Sequence, residues 1–351
     1  MKKSLLALAA LTAFAGAASA QSSVTLFGVV DTNARAVKNS SGSLKTLSTD
    51  GWGSSRLGVR GVEDLGGGLR AGFWLEGALG VDTGTGAATV GNGASAGQTW
   101  QRRSTVSLMG GFGEVRLGRD YTPDFWNHTV FDPFGTNGVA NSLNIYAGAA
   151  ANAGVGTLVR ANNSVGYFLP GGLGGLYGQV MLAAQESATG NKHLGFRLGY
   201  AAGPVNVAFA YGKTEITEGP PKADYKRMNL GASWNLGFMR LMGYWVNGER
   251  STGQEVTQYL VGGVVPFGAS QLKFSYSKSD GKGPTTANNT QDATQIGLGY
   301  GYSMSKRTTL YAHYARVSNK ATAAYTASGS GPAHAVNKGS TGYEFGINHT
   351  F

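Results

Sequence analysis

Arginine and acidic side chains recur at alternate positions in segments whose other positions are apolar. Arg56 and Arg60 alternate with Leu57 and Val59, and Glu76 follows the same spacing after aromatic and aliphatic neighbours. In an extended strand alternate side chains point to opposite faces, so these charged groups share one face. A row of arginines in contact with water attracts anions. The pattern therefore favours electrostatic selection of small ions.

Other kinds of chemistry have weaker support. The five histidines lie in no recognisable nucleophile motif, and no Gly-x-Ser-x-Gly elbow occurs. The chain has no cysteine and no His-x-x-x-His spacing that would suggest a metal site. A Gly-rich run at 171–178 follows Pro170 between two predicted strands and opens no helix, so it does not predict a dinucleotide site. We predict neither an enzyme nor a cofactor.

The charged face of these strands must be in contact with water. A protein core filled with arginine would be very costly, which argues against a soluble β-sandwich or propeller. The opposite face carries residues such as Phe73, Leu75, Val165 and Tyr167. We therefore expect the polar face to line water and the apolar face to meet lipid.

The alternation recurs along the whole chain. It predicts sixteen strands at about 24–35, 54–63, 68–80, 99–110, 112–121, 158–169, 174–186, 191–202, 203–214, 225–236, 237–250, 254–265, 269–280, 291–304, 306–318 and 341–351. The 57 glycines disfavour a helical protein. The predicted fold class is all-β, a transmembrane antiparallel β-barrel of about sixteen strands, wide enough for an aqueous channel.

Two kinds of connection alternate between these strands. Short Gly-rich turns occur at one end, and longer polar segments occur at the other, at 38–53, 80–98, 122–156, 280–290 and 318–340. Short turns on one side and long loops on the other are typical of outer-membrane barrels.

The first twenty residues predict export. Lys2 and Lys3 precede a short apolar stretch at 5–14, and Ala18-Ser19-Ala20 resembles a cleavage site. The expected organisation is a signal peptide at 1–20 and a barrel at 21–351. The expected location is the outer membrane of a Gram-negative bacterium.

The connection at about 122–156 is the longest. It contains several aromatic residues and two acids, Asp124 and Asp132. Aromatics suit a loop folded against the inner barrel wall, where it would narrow the lumen, but chemistry alone leaves an ordinary external loop equally open. The net charge of +10 is scattered singly, so it does not predict nucleic-acid binding.

Several motifs resemble the general porins of Gram-negative bacteria, especially those of β-proteobacteria. They are Val24–Asp31, Ser55–Leu69, Gly111–Pro123, Arg160–Tyr167 and Gly346–Phe351, in order along the chain. The resemblance implies a homotrimer of sixteen-stranded barrels, each with an inward-folded third loop that bears carboxylates. These would be Asp124 and Asp132 here.

The resemblance also implies a basic wall opposite that loop. By motif position its arginines would be Arg56, Arg119 and Arg160. Alternation independently puts Arg56 and Arg160 on the lumen face. Arg119, by contrast, lies an even number of positions from the apolar Val115 and Leu117, so the same rule (its parity) would put it on the lipid face. Either a bulge follows Gly118 or Arg119 does not line the pore. Secondary candidates with lumen parity are Arg35, Arg60 and Arg103.

The predicted function is passive diffusion of small hydrophilic solutes and ions, biased toward anions. The glutamate common in the family's loop is absent, since the chain reads Pro133-Phe134-Gly135-Thr136 there. The resemblance implies outer-membrane lipid and lipopolysaccharide as partners. It also implies a barrel-assembly machinery that recognises the terminal Phe351. A substrate-specific channel for small anionic solutes is the alternative.

Overall fold

The computed structural model describes residues 23–86, 99–185, 191–216, 222–328 and 331–351. The predicted signal peptide at 1–20 lies outside the described residues.

Seventeen strands make up most of the described chain. They are β1 (Ser23–Asn39), β2 (Gly42–Thr49), β3 (Arg56–Gly66), β4 (Leu69–Ala78), β5 (Arg103–Gly110), β6 (Gly113–Tyr121), β7 (Arg160–Phe168), β8 (Leu176–Ala183), β9 (Lys192–Ala202), β10 (Val205–Ile216), β11 (Ala223–Asn235), β12 (Arg240–Arg250), β13 (Glu255–Phe267), β14 (Ser270–Lys282), β15 (Gln291–Ser303), β16 (Thr308–Ala321) and β17 (Gly339–Thr350).

The strands form one closed antiparallel sheet. From β3 to β17 each strand pairs with its neighbours along the chain, and β17 pairs with β1 to complete the ring. β2 pairs with one half of β1 and β3 with the other half, so these two strands occupy a single position in the wall. The predicted barrel of sixteen strands is therefore confirmed. The predicted connection at 38–53 is wrong, because most of it is strand that extends β1 and forms β2.

Alternation separates the two faces of the wall. In β9, Leu194, Phe196 and Leu198 are exposed on the outer face, whereas His193 and Arg197 on the inner face are buried. An outer face of exposed apolar side chains is stable only in contact with lipid. The inner face can carry charge because it meets water or the loop described next.

The segment 122–159, here called the inner loop, folds into the barrel. Its bounds are Tyr121 of β6 and Arg160 of β7, and it holds one α-helix, α1 (Pro123–Phe131), and two short 3-10 turns, Ser142–Ile145 and Ala150–Asn152. The inward fold that the family resemblance implies for this loop is confirmed. None of the helices in the described ranges is long and apolar enough to cross a membrane.

A buried apolar cluster holds the inner loop against the wall. Phe131, Phe134 and Tyr146 from the loop are almost fully buried beside wall residues such as Val246 and Val317. The lumen of the barrel is thus partly filled by protein core, which leaves a narrow wet remainder.

Glycines on the inner wall make this close approach possible. A Cβ atom added at Gly231 of β11 would lie 2.0 Å from the ring of Phe131, and one added at Gly299 of β15 would lie 2.8 Å from the ring of Phe134. Such glycines serve close approach and not flexibility. Any larger residue at Gly231 would force the loop away from the wall.

Candidate functional site

Residues 50–55, here called the inward turn, leave the wall between β2 and β3 and enter the lumen. The Asp31 carboxylate on β1 accepts hydrogen bonds from three consecutive backbone N–H groups of this turn, at 2.9, 3.0 and 2.9 Å. The same carboxylate accepts the Tyr311 hydroxyl at 2.5 Å and the Asn348 amide at 2.9 Å. Asp31 is fully buried. One charged side chain therefore fixes the turn to the seam where β1 meets β17.

The inward turn connects the wall to the tip of the inner loop. Arg56 Nη1 donates to the Ser54 carbonyl at 2.9 Å, and Ser54 Oγ donates to Asn137 Oδ1 at 2.6 Å. The Gly138 N–H also donates to the Asp50 carbonyl at 2.9 Å. These bonds set the distance between the loop tip and the Arg56 side of the wall.

The first half of the inner loop is anchored by polar contacts to β9, β10 and β11. The Asp124 carboxylate accepts a charge-assisted hydrogen bond from Arg227 Nε, and both side chains are almost completely buried. Asn127 Nδ2 donates to the Ala208 carbonyl at 2.8 Å, and Arg197 Nε donates to Asn127 Oδ1 at 2.5 Å. Bonds to charged groups are among the stronger hydrogen bonds in proteins. Helix α1 is therefore held rigidly on the wall.

The second half is anchored through Asp132. Its carboxylate accepts the N–H and the hydroxyl of Ser142, at 2.9 and 2.7 Å, and the N–H of Phe134 at 2.8 Å. Because the Ser142 hydroxyl gives its proton to Asp132, it accepts from His128 Nε2 at 2.7 Å, which assigns the proton of a neutral His128 to Nε2. Burial lowers the pKa of His128 to about 3 and raises the pKa of Asp132. His128 is thus neutral at physiological pH.

The structure places the two predicted loop acids away from the lumen. Asp124 and Asp132 are 2% and 3% exposed, and their partners lie in the wall and within the loop itself. The expectation that loop carboxylates face the arginine wall across the pore therefore needs correction, because both acids are used to anchor the loop.

One cavity of the lumen, here called the basic chamber, has a volume of about 730 Å³. Loop residues Trp126, Thr129, Thr136 and Asn137 form one side. Its charged lining consists of Arg56, Arg102, Arg103, Arg116, Arg197, Glu76 and Asp120. Five arginines against two carboxylates leave an excess of three positive charges.

Ion pairs hold several of these arginines in place. Arg102 Nε lies 2.6 Å from Glu76 Oε1, and Arg116 Nη1 lies 2.5 Å from Asp120 Oδ2. Arg103 is 3.7 Å from the same Asp120 oxygen. Glu76 also lies 3.8 Å from Arg56, so each of the two lining carboxylates serves more than one guanidinium. Arg116 has a further partner in Glu114 at 2.9 Å, which reduces the positive excess of the network from three charges to two.

The predicted wall residues divide into two groups. Arg56 and Arg103 line the basic chamber. Arg160 is buried beside it, donating to the Arg102 carbonyl at 2.7 Å with its guanidinium 4.2 Å from the ring centroid of Tyr121. Arg35 is likewise held in the wall by an ion pair to Glu344 at 3.0 Å.

Arg119 and Arg60 occupy different surroundings. The pairing of β6 with β7 shifts between Gly118 and Asp120, so a bulge is present, yet Arg119 is not among the chamber-lining residues. It donates to the Gln101 carbonyl at 2.6 Å and to Asn162 Oδ1 at 2.5 Å. Arg60 is exposed beyond the chamber, 5.0 Å from the ring centroid of Trp74.

Three arginines that line the basic chamber were not predicted from the sequence. Arg116 and Arg197 alternate with apolar residues in β6 and β9, so the same parity test could have found both. Arg102 precedes β5, and its contacts with Glu76 and with the Tyr121 hydroxyl place it in the lumen. No periodic signal in the sequence marks that position.

The inner loop separates the basic chamber from a second cavity of about 720 Å³. This cavity is lined by the later part of the loop, by residues 322–326 and by Gln291, and Thr136 borders both cavities. Its described lining contains amides, hydroxyls and apolar groups but no charged side chain. Fixed charge is therefore concentrated on one side of the loop.

A closed barrel with an apolar outer face, a charged lumen and a loop folded into that lumen defines a membrane channel. Residues 7–322 match the sequence profile of the Gram-negative porins. The chain belongs to this family, whose members are barrels of the outer membrane.

Individual porins are similar to this chain over most of its length. Outer membrane porin protein 32 of Delftia acidovorans is 38% identical over the full length of both chains. An outer membrane porin protein of Bordetella pertussis is 30% identical over 89% of this chain and 93% of its own. A solved structure described as an anion-selective porin from Comamonas acidovorans covers 94% of this chain and 100% of its own, at 35% identity and a TM-score of 0.81.

Proposed function

We propose that this channel passes small hydrophilic solutes by diffusion across the outer membrane and prefers anions. The observation that carries the proposal is the lining of the basic chamber, where five arginines face two carboxylates. The burial of Asp124 and Asp132 removes the loop carboxylates that would otherwise balance them. The relation to an anion-selective porin of similar fold supports the same preference.

The expected selectivity is moderate. A unit charge acting over about 10 Å of water contributes roughly 0.4 kcal/mol, so two to three unbalanced charges give about 0.8–1.2 kcal/mol, roughly a four- to eightfold preference. Salt screens such charges, because the Debye length is about 10 Å at 0.1 M. We therefore expect preference without strict exclusion of cations.

The reversal potential in a planar bilayer across a KCl gradient tests this function. Chloride preference at low salt that shrinks at high salt is the expected result. Cation preference would contradict the electrostatic interpretation and leave the channel intact. Absence of any conductance from folded protein would contradict the channel itself.

The finer assignments belong to the same proposal. We infer that Arg56 and Arg103 act in the constriction, that the inner loop forms it, and that the chain has no catalytic role. We also infer a homotrimer in contact with lipopolysaccharide, assembled by a machinery that recognises Phe351. Mass measurement of the detergent-solubilised protein tests the trimer, and a monomer with full conductance would contradict it.

A further inference from the structure

The arginines of the basic chamber lie against aromatic rings. The distances from guanidinium carbon to ring centroid are 4.4 Å for Arg103 and Trp74, 4.0 Å for Arg116 and Phe168, and 4.7 Å for Arg197 and Tyr177. A ring that covers one face of a guanidinium fixes its plane. Arg116 is also held by acids, but Arg103 uses Nε for Thr105 and Arg197 uses Nε for Asn127, so both keep terminal N–H groups at the guanidinium edge that can bind a carboxylate. The wall therefore offers several oriented anion-binding groups.

Trp126 differs from the aromatic residues of these pairs. It projects from helix α1 into the same chamber and is 39% exposed, the largest apolar side chain that the inner loop shows to the lumen. Its ring contacts Tyr121 at 5.3 Å between centroids with a tilt of 51°, and its exposed part borders the chamber. Among the described residues no guanidinium lies over this ring.

We propose that the basic chamber selects aromatic carboxylates, with the solute ring against Trp126 and its carboxylate on the arginine wall. The inference rests on the proposed anion-preferring function and names the solutes that this function favours. Chloride engages only the arginines. A saturated carboxylate engages the arginines but has no flat π face for the indole.

Contact between aromatic faces adds modestly to apolar burial, which predicts roughly a two- to tenfold preference for the aromatic solute. Weak binding of this order suits a channel, because a solute must also leave. The inner loop supplies the ring and the wall supplies the charge, so both sides of the chamber contribute to the same solute.

Benzoate and cyclohexanecarboxylate form the sharpest pair of probes, since they share charge and ring size and differ in aromaticity. The concentration of each that halves the single-channel chloride current is measured at pH 7. We expect the benzoate value to be roughly two- to tenfold lower. Equal values would overturn the inference, while the chloride preference in a KCl gradient separately tests the proposed function.

Substitution of Trp126 locates the effect. Trp126→Leu is expected to bring the ratio of the two values close to one, and Trp126→Phe to leave an intermediate ratio. Trp234→Leu is the matched control, because Trp234 is 54% exposed on the outer face of β11 and outside the chamber. An unchanged ratio in a conducting Trp126→Leu or Trp126→Phe protein would overturn the inference.

Discussion

The Asp31 carboxylate accepts the backbone N–H of Trp52 at 3.0 Å, although Asp31 lies within a wall strand and Trp52 lies inside the lumen. The bond is one of three from the inward turn to the same buried carboxylate. Trp52 in turn stacks on His313 of β16, at 5.6 Å between ring centroids. The position of the inward turn in the lumen therefore depends on one acid in the first strand.

Replacement of Asp31 by asparagine should release the inward turn. The variant keeps the size of the side chain but loses the charge that several N–H groups share, and bonds to charged groups are worth about 1.5–3 kcal/mol each. We expect a lower unfolding temperature and a higher single-channel conductance. Asp64→Asn, at the exposed end of β3, is the control and should change neither. Unchanged conductance in Asp31→Asn would show that the turn is held by other contacts.

A side chain at Gly231 should displace the inner loop. Gly231→Val would place its Cβ atom 2.0 Å from the ring of Phe131, and overpacking typically costs about 1–3 kcal/mol. We expect reduced thermal stability and altered conductance. Gly243→Val on the neighbouring strand is the matched control, since the nearest atom to its Cβ position is 3.9 Å away. Equal effects of both substitutions would mean that the strand, and not the loop contact, is responsible.

Loss of a lining arginine should weaken anion preference. Arg103→Gln or Arg116→Gln removes one charge from the basic chamber and should lower the anion-to-cation permeability ratio about twofold, from roughly 0.4 kcal/mol per charge. Reversal potentials at low KCl measure the change. Arg119→Gln, outside the chamber lining, is expected to have a smaller effect. An equal loss in Arg119→Gln would place that residue on the ion path.

Because His128 is buried in its neutral form, the free energy of unfolding of the protein should depend on pH. Its pKa is about 3 in the folded protein because of burial, below the ordinary value of 6.5, so the unfolded chain binds the proton more readily. The contribution of His128 is complete above about pH 6.5 and is lost progressively as the pH falls toward 3. Thermal unfolding measured between about pH 7 and pH 4 should show this loss.

His128→Gln isolates that contribution. Glutamine can still donate to Ser142 but does not titrate, so the variant should lose less stability than the natural chain on acidification. Asp132, whose pKa is raised, acts in the opposite sense and is common to both proteins. His349→Gln, at an exposed position, serves as the control. Parallel pH curves for His128→Gln and the natural chain would exclude this residue as the cause.

The wall of the barrel was predictable because its signal is periodic. Strict alternation in segments such as β9 and β17 reports which face meets lipid, and it identifies Arg56 and Arg103 without any knowledge of their contacts. Arg116 and Arg197 obey the same rule.

The interior was less predictable because its contacts are not local. Helix α1 is stabilised by wall residues far away in sequence, such as Arg227, which pairs with Asp124. Gly118, with φ of +124°, and Asn163, with φ of +53°, mark the irregular pairing near Arg119, and a simple parity rule fails there. The inward turn depends on Asp31 and Asn348, which are separated by 317 positions.

The pairing of β1 with β17 has a consequence for the time at which the barrel can form. Arg35 and Glu344, joined across this seam, are 309 positions apart, and almost the whole sequence lies between them. Contacts of such long range are made late, because the entropy of closing the intervening chain must be overcome first. The barrel thus stays open until β1 and β17 come together. Until then each of these two edge strands exposes unpaired backbone groups that can bind another chain.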